Sequence, residues 1–262
     1  MAYVQRTVYA GCVCERRKMH TVKANRKGAP RAVRVNPTTE SQRKINERRA
    51  EENLRWRLNA NFGRRDLHLV LHYSDKNRGF GQCLDDLRQF LRITRKACKA
   101  KGLELKYICV TETKRMTNIH HHIILKKLPM ELIQDCWEKI AGQGGISVRP
   151  LDNRGNHAKL ANYLIKESRS TLKRYQELGK RGKRYTCSQN LIIPEPIYER
   201  IEADHWTENP KPRKGSYLYK WDNGETVRNG VDERGYPWQE YFEIYAEGVD
   251  LIRKRQKHHM LS

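Results

Sequence analysis

Three adjacent histidines, His120, His121 and His122, interrupt an apolar stretch that runs on through Ile123, Ile124 and Leu125. On a strand, side chains alternate, so His120 and His122 share one face and His121 takes the other with Ile119, Ile123 and Leu125. Two imidazoles two residues apart can converge on one divalent cation. Glu112 closes the preceding apolar run, Val110-Thr111-Glu112, eight residues before His120. A hairpin that sets Glu112 opposite His120 brings a carboxylate to the same face. Two imidazoles and one carboxylate with open positions make a mixed nitrogen–oxygen site suited to Mg2+ or Mn2+. The triplet alone also fits a solvent-facing or partner-satisfied strand. His121, on the apolar side, is expected to accept replacement by leucine, because a buried neutral imidazole needs a partner and leucine does not.

A second group lies further on, in Asn162-Tyr163-Leu164-Ile165-Lys166. On a helix, Lys159, Tyr163 and Lys166 share a face. Two flanking lysines are expected to stabilise the phenolate and to bring it to a phosphate. A tyrosine packed on a sheet between two solvated lysines fits the same spacing. Residues 169–185 then carry seven Lys/Arg with Tyr175 and Tyr185 among them. Arg174, Lys180, Arg181, Lys183 and Arg184 can track phosphates while tyrosines stack on bases, a pattern suited to single-stranded DNA; a solvated loop is the alternative.

These groups need elements to hold them. Residues 67–73 alternate Leu-His-Leu-Val-Leu-His-Tyr, as a strand does. An amphipathic helix is expected over 83–100, strands over 106–112 and 120–125 and a helix from Pro129 to Ala141. A strand over 146–149 and a helix over 156–168 follow. Strand, helix, strand, strand, helix, strand, helix is the order of an α+β, ferredoxin-like or RNA-recognition-like domain: an antiparallel sheet with helices on one face and one appended helix. Before it, residues 1–37 read as a basic arm with nine Lys/Arg, one acid and a short strand over 6–14, followed by a surface helix from Thr39 to Asn59. After it, residues 191–262 read as a small accessory region in which Trp206, Trp221 and Trp238 build a minor core and Asp222-Asn223-Gly224 turns the chain. The expected division is 1–62, 63–190 and 191–262.

The chain has 53 Lys/Arg against 30 Asp/Glu, a net charge of +23. A surface of that kind releases counterions from a polyanion, which makes nucleic acid the leading partner class. Residues 199–250, with twelve acids and seven Lys/Arg, stand apart from it. No stretch reaches the roughly 18 apolar residues of a membrane span, and residues 1–17 lack an apolar signal-type core, so no membrane association and a cytoplasmic setting are expected. Seven scattered cysteines with no Cys-x-x-Cys pair fit free thiols in a reducing compartment. A Walker-type phosphate loop is absent from the sequence, so no ATP-driven motor is encoded.

Taken in this order, Glu112, the His120-x-His122 strand and Tyr163-x-x-Lys166 on a later helix resemble the HUH endonucleases. The likeness is greatest to the single-tyrosine rolling-circle replication initiators of bacterial plasmids and phages, including the filamentous-phage type. The Glu112-to-His120 spacing is also similar to that of small Rep proteins of single-stranded DNA viruses. It covers about residues 60–190. The resemblance implies the HUH fold, a metal held by Glu112, His120 and His122, and attack by Tyr163 to leave a 5′-phosphotyrosine and a free 3′-OH. Lys166 would position phosphate, and Lys159 with the basic run would bind single-stranded or hairpin origin DNA. A host helicase and DNA polymerase in a bacterial cytoplasm would be the partners. The first motif of that family corresponds to residues 67–73, where His68 and His72 replace the usual threonines; His121 stands where a large apolar residue is usual. His72 could contact DNA or sit behind the metal ligands. Lys159 occupies the place of a second tyrosine, so closing the strand would need another protomer, a water or another tyrosine. A conjugative relaxase or single-tyrosine transposase shares this chemistry. A metal nuclease with no covalent step would not need Tyr163, and a non-enzymatic RNA-binding sandwich would show exposed aromatics on the third strand.

Overall fold

The computed structural model describes residues 3–21, 39–75, 77–113, 119–151, 156–202, 205–232, 235–246 and 251. In chain order the elements are β1 (Tyr3–Ala10), β2 (Val13–His20), α1 (Thr39–Asn61), β3 (Leu67–His72), α2 (Phe80–Ala100), β4 (Tyr107–Glu112), β5 (His120–Leu125), α3 (Met130–Ala141), β6 (Ile146–Pro150) and α4 (Ala158–Glu177). There follow β7 (Thr186–Cys187), β8 (Ile197–Ile201), β9 (Ser216–Leu218), β10 (Arg228–Val231) and β11 (Pro237–Tyr245). They form two compact units: residues 62–153 with 158–191, and residues 1–61 with 154–157 and 192–262.

The first of these is the α+β sandwich anticipated from the hydrophobic pattern. Its antiparallel sheet has the order β6-β3-β5-β4-β7. Leaving aside the two-residue β7, that is the split βαβ arrangement, with β5 between the parallel pair β3 and β4. Alternation decides the faces. Leu67, Leu69 and Leu71 of β3 turn inward with Tyr107, Cys109, Ile123 and Leu125. There they meet Leu87, Phe90 and Leu91 of α2 and Leu132, Ile133, Cys136 and Trp137 of α3. The opposite face carries His68, Val70 and His72 of β3, which are half-buried. Over it lies α4, which buries Ala161, Leu164 and Ile165 and brings the Tyr163 ring against His68 and His122. The appended helix thus covers the face that α2 and α3 leave bare.

That helix is longer than its sequence suggests. It continues to Glu177, so half of the supposed basic connector is helical. Ser168 and Thr171 are buried there through small polar contacts that hydropathy does not register. The Thr171 hydroxyl donates to the Thr111 carbonyl at 2.6 Å, and Ser168 to its own helix at Ile165.

The other unit is a six-stranded sheet, β10-β11-β2-β1-β8 with β9 beside β11. Residues 3–20, expected as a basic arm with one short strand, form a complete hairpin. Gly11 (φ +61) turns it, and a Cβ there would lie 2.2 Å from the Asn59 carbonyl oxygen. The helix expected on the surface buries Leu54, Trp56 and Leu58. Sequence reading missed both because the interior is charged. Arg55 pairs with Glu15 at 2.6 and 2.8 Å and with Glu51 at 2.6 and 2.8 Å. Trp56 Nε1 donates to Glu15 at 2.7 Å. Arg6 meets Glu52, and Arg16 meets Glu243 across 227 residues of chain. Trp221 packs with Val13, Phe242 and Ile244 as a small core, while Trp238 and Trp206 lie under Arg17 and Lys18. The turn at 222–224 forms, with Gly224 at φ +86. Asn61 and Ile192 are clasped in both directions at 2.8 Å, side-chain amide to backbone. The segment from residue 62 to 191 therefore leaves and returns to this unit at one place, apart from residues 154–157.

All seven cysteines carry free thiols. Among the described residues no helix is long and apolar enough to cross a membrane.

Candidate metal and nucleophile site

β4 and β5 pair so that Glu112 stands opposite His120, and Val110 opposite His122. Strand pleating then places the Glu112, His120 and His122 side chains on the α4 face. The Glu112 Oε2 atom lies 2.7 Å from His120 Nε2 and 3.1 Å from His122 Nε2. One ligand atom from each of the three falls within 4.8 Å of the others. Glu112 and His122 are buried and His120 is half-buried. Among the described residues no lysine or arginine pairs with Glu112. A buried carboxylate with two imidazole nitrogens aimed at one of its oxygens is a donor set that fits a divalent cation.

His122 is held from behind as well. Its Nδ1 lies 3.1 Å from His68 Nε2. Burial, with His122 as a neighbour, pushes His68 down to about 4. Burial and His120 push His122 down to about 4 too, so both are neutral at pH 7. His72 stands opposite His120 on β3, its ring 5.5 Å away. It contacts Ser147 at 3.2 Å and lies outside the group of three.

His121 turns to the α2 and α3 side and is fully buried. Tyr73 donates to the Cys83 carbonyl at 3.2 Å, so the Tyr73 oxygen accepts from His121 Nε2 at 3.0 Å. His121 Nδ1 is left to accept from the Thr111 hydroxyl at 2.9 Å. Burial pushes this imidazole down to about 3. The expectation that leucine would be accepted here is corrected: the imidazole has two partners, and leucine would strand Thr111.

Tyr163 is two-fifths exposed. Its ring stands edge-on to His122 at 5.4 Å and to His68 at 6.5 Å. Its phenol is held above its ordinary value by burial first, then by the carboxylates of Glu167 and Glu112, and Arg149 opposes them. This corrects the expectation of a phenolate stabilised by flanking lysines. Lys159 and Lys166 are exposed on α4, and the cation that bears on Tyr163 is Arg149. The β3–β6 register sets Arg149 opposite His68 and hence on the same face. Sequence reasoning passed over Arg149 and Glu167. The order of a ferredoxin-like sheet places Arg149, and the i+4 spacing from Tyr163 places Glu167.

Of the basic run, Lys180, Arg181 and Lys183 are exposed. Arg174 pairs with Glu177 at 3.2 Å, and Arg184 reaches the Ser168 hydroxyl at 3.5 Å. Tyr175 packs edge-on to Phe80 at 5.2 Å, so it fills the unit's interior rather than offering a face to a base. On the α4 face of β3 and β5, histidines stand where an RNA-binding sandwich carries stacking aromatics.

Residues 66–171 match the family described as replication-associated protein ORF2/gene 2 protein. The matched stretch contains Glu112, His120, His122 and Tyr163. No curated protein and no solved structure matches the chain. The match ties the sandwich unit to DNA replication.

Proposed function

We propose that residues 63–190 form a metal-dependent, single-tyrosine endonuclease of the HUH type. It starts rolling-circle replication by nicking single-stranded or hairpin origin DNA. The observation that carries this reading is the position of Tyr163, edge-on to His122 on the face where Glu112, His120 and His122 converge. A nucleophile and a metal-type donor set on one face, within a stretch matching a replication-associated family, have a common use in phosphoryl transfer.

Glu112, His120 and His122 would hold Mg2+ or Mn2+, which supplies charge stabilisation at the scissile phosphate. Tyr163 Oη forms the new bond to phosphorus while the bond from phosphorus to the 3′-oxygen breaks. The phenolic proton ends on that oxygen, giving a 5′-phosphotyrosine and a 3′-OH from which a host polymerase can extend. Lys166 and Arg149 flank the tyrosine and steady the phosphate. The raised phenol keeps Tyr163 protonated until a phosphate and a cation are both present. The phosphotyrosine conserves the energy of the broken bond, so the same residues can rejoin a strand. Lys159, Arg174 and the cations from 180 to 184 lie along and beyond α4, where they can track the strand. A host helicase would open the duplex, in a bacterial cytoplasm.

The test is incubation of the protein with single-stranded origin oligonucleotides and Mn2+, followed by denaturing electrophoresis and peptide mapping. A DNA adduct on Tyr163 is expected. Cleavage with no protein-linked product would overturn the covalent mechanism.

A further inference from the structure

We propose that His68 is a positioning residue for His122, tuning it as a metal ligand by reversing a single hydrogen bond; the inference rests on the metal site proposed above. The starting observation is a contact that the ligand set does not need. His68 Nε2 and His122 Nδ1 face each other at 3.1 Å in the interior of the unit. Two facing imidazole nitrogens hold one hydrogen between them, so one ring donates and the other accepts.

The other nitrogen of His122 decides which. Its Nε2 lies 3.1 Å from Glu112 Oε2 and donates to that carboxylate. His122 Nδ1 is then bare, and His68 Nε2 must donate to it. When His122 Nε2 serves as a ligand its hydrogen is gone, and a neutral ring carries its one hydrogen on Nδ1. His68 Nε2 must then accept, with its own hydrogen on Nδ1. Each ring keeps one hydrogen in both states, so the change is tautomeric, with no change in charge. An imidazole is one of few side chains that can supply either role at one atom. A ligand histidine is oriented and made more basic by the partner of its second nitrogen, with losses of about 10- to 100-fold in affinity when that partner is removed. β3 places His68 here by alternation, opposite Ile124 of β5 and diagonal to His122.

Metal binding without DNA provides the test. Mn2+ affinity is measured by electron paramagnetic resonance of the free ion for the wild type, His68→Phe, His68→Gln and His120→Ala. His68→Phe should bind about 10- to 100-fold more weakly. His68→Gln, whose amide can both donate and accept, should return to within about threefold of wild type, since it restores both hydrogen-bond roles. In the wild type, imidazole 15N spectra should show His122 protonated at Nε2 without metal and at Nδ1 with Mg2+, and His68 should exchange in the opposite sense. Equal affinities for wild type and His68→Phe would overturn the inference alone, provided His120→Ala loses binding. A wild type that binds no better than His120→Ala would overturn the metal site and the inference with it. If His68→Phe fails to fold, the spectra decide: an unchanged His122 tautomer on Mg2+ saturation refutes the relay.

Discussion

The two sheets bury charged groups in opposite ways. In the sheet built from the chain's outer segments, buried carboxylates have arginine partners: Glu15 with Arg55, Glu52 with Arg6 and Glu243 with Arg16. In the sandwich sheet, Glu112 is equally buried and meets only imidazoles. A buried ion pair with bidentate geometry is complete in itself and holds a fold in register. A buried carboxylate facing nitrogen lone pairs is complete only with a cation. The difference separates architecture from chemistry without reference to any relative.

The strongest way to break this contrast is to remove a member of the incomplete set. His122→Ala should lower Mn2+ affinity by at least about 100-fold, the upper end of losses seen for a ligand's supporting partner, and should abolish the DNA adduct. Tyr163→Phe should abolish the adduct with Mn2+ affinity unchanged. Retained adduct in Tyr163→Phe would reassign the nucleophile.

Breaking a completed pair should cost stability instead. Arg55→Ala leaves Glu15 and Glu51 buried without their partner, and about 3–5 kcal/mol should be lost in denaturant unfolding. A loss under about 1 kcal/mol would mean that water reaches these carboxylates.

His121→Leu tests the other face of β5. It removes the partner of the buried Thr111 hydroxyl, and a loss of about 1–3 kcal/mol is expected. The same variant sharpens the pH profile. The imidazole is held near 3 in the fold and titrates near 6.5 when unfolded. As pH falls from about 6.5 toward 3, the unfolded chain binds a proton that the native state refuses, and stability declines by up to about 1.4 kcal/mol per pH unit. At pH 7 this contribution is complete. His121→Leu should flatten the acid limb while leaving the neutral plateau lower; an unchanged acid slope would refute the assignment of that slope to His121.

The smallest effect concerns the exposed cations. Replacing Lys180, Arg181 and Lys183 by serine should reduce the log–log salt slope of single-strand binding by about 0.7 for each phosphate that is no longer neutralised. An unchanged slope would place the DNA elsewhere.

The sandwich was legible because its signals are local. Alternation in β3 and β5 is visible within seven residues, and the eight-residue gap from Glu112 to His120 is enough to set the hairpin register. The outer sheet was not legible, because Arg16 finds its partner 227 residues away and a charged strand reads as solvated until that partner is known. The end of α4 was missed for a smaller reason. Ser168 and Thr171 are buried by hydrogen bonds rather than by apolar area, and hydropathy counts only the second.

The clasp of Asn61 to Ile192 has a consequence for synthesis on the ribosome. The sandwich sheet is complete when Cys187 has been made, but β2, finished at His20, waits for its neighbour β11 until Tyr245. At about 5–20 residues per second, that wait lasts on the order of ten to forty-five seconds. Throughout it the nascent hairpin of β1 and β2 presents an unpaired edge on which Arg16 and Arg17 stand before Glu243 and Glu240 are made. Like charge along such an edge discourages pairing with another nascent chain. The arginines that later lock the sheet can thus keep it from aggregating while it is half built.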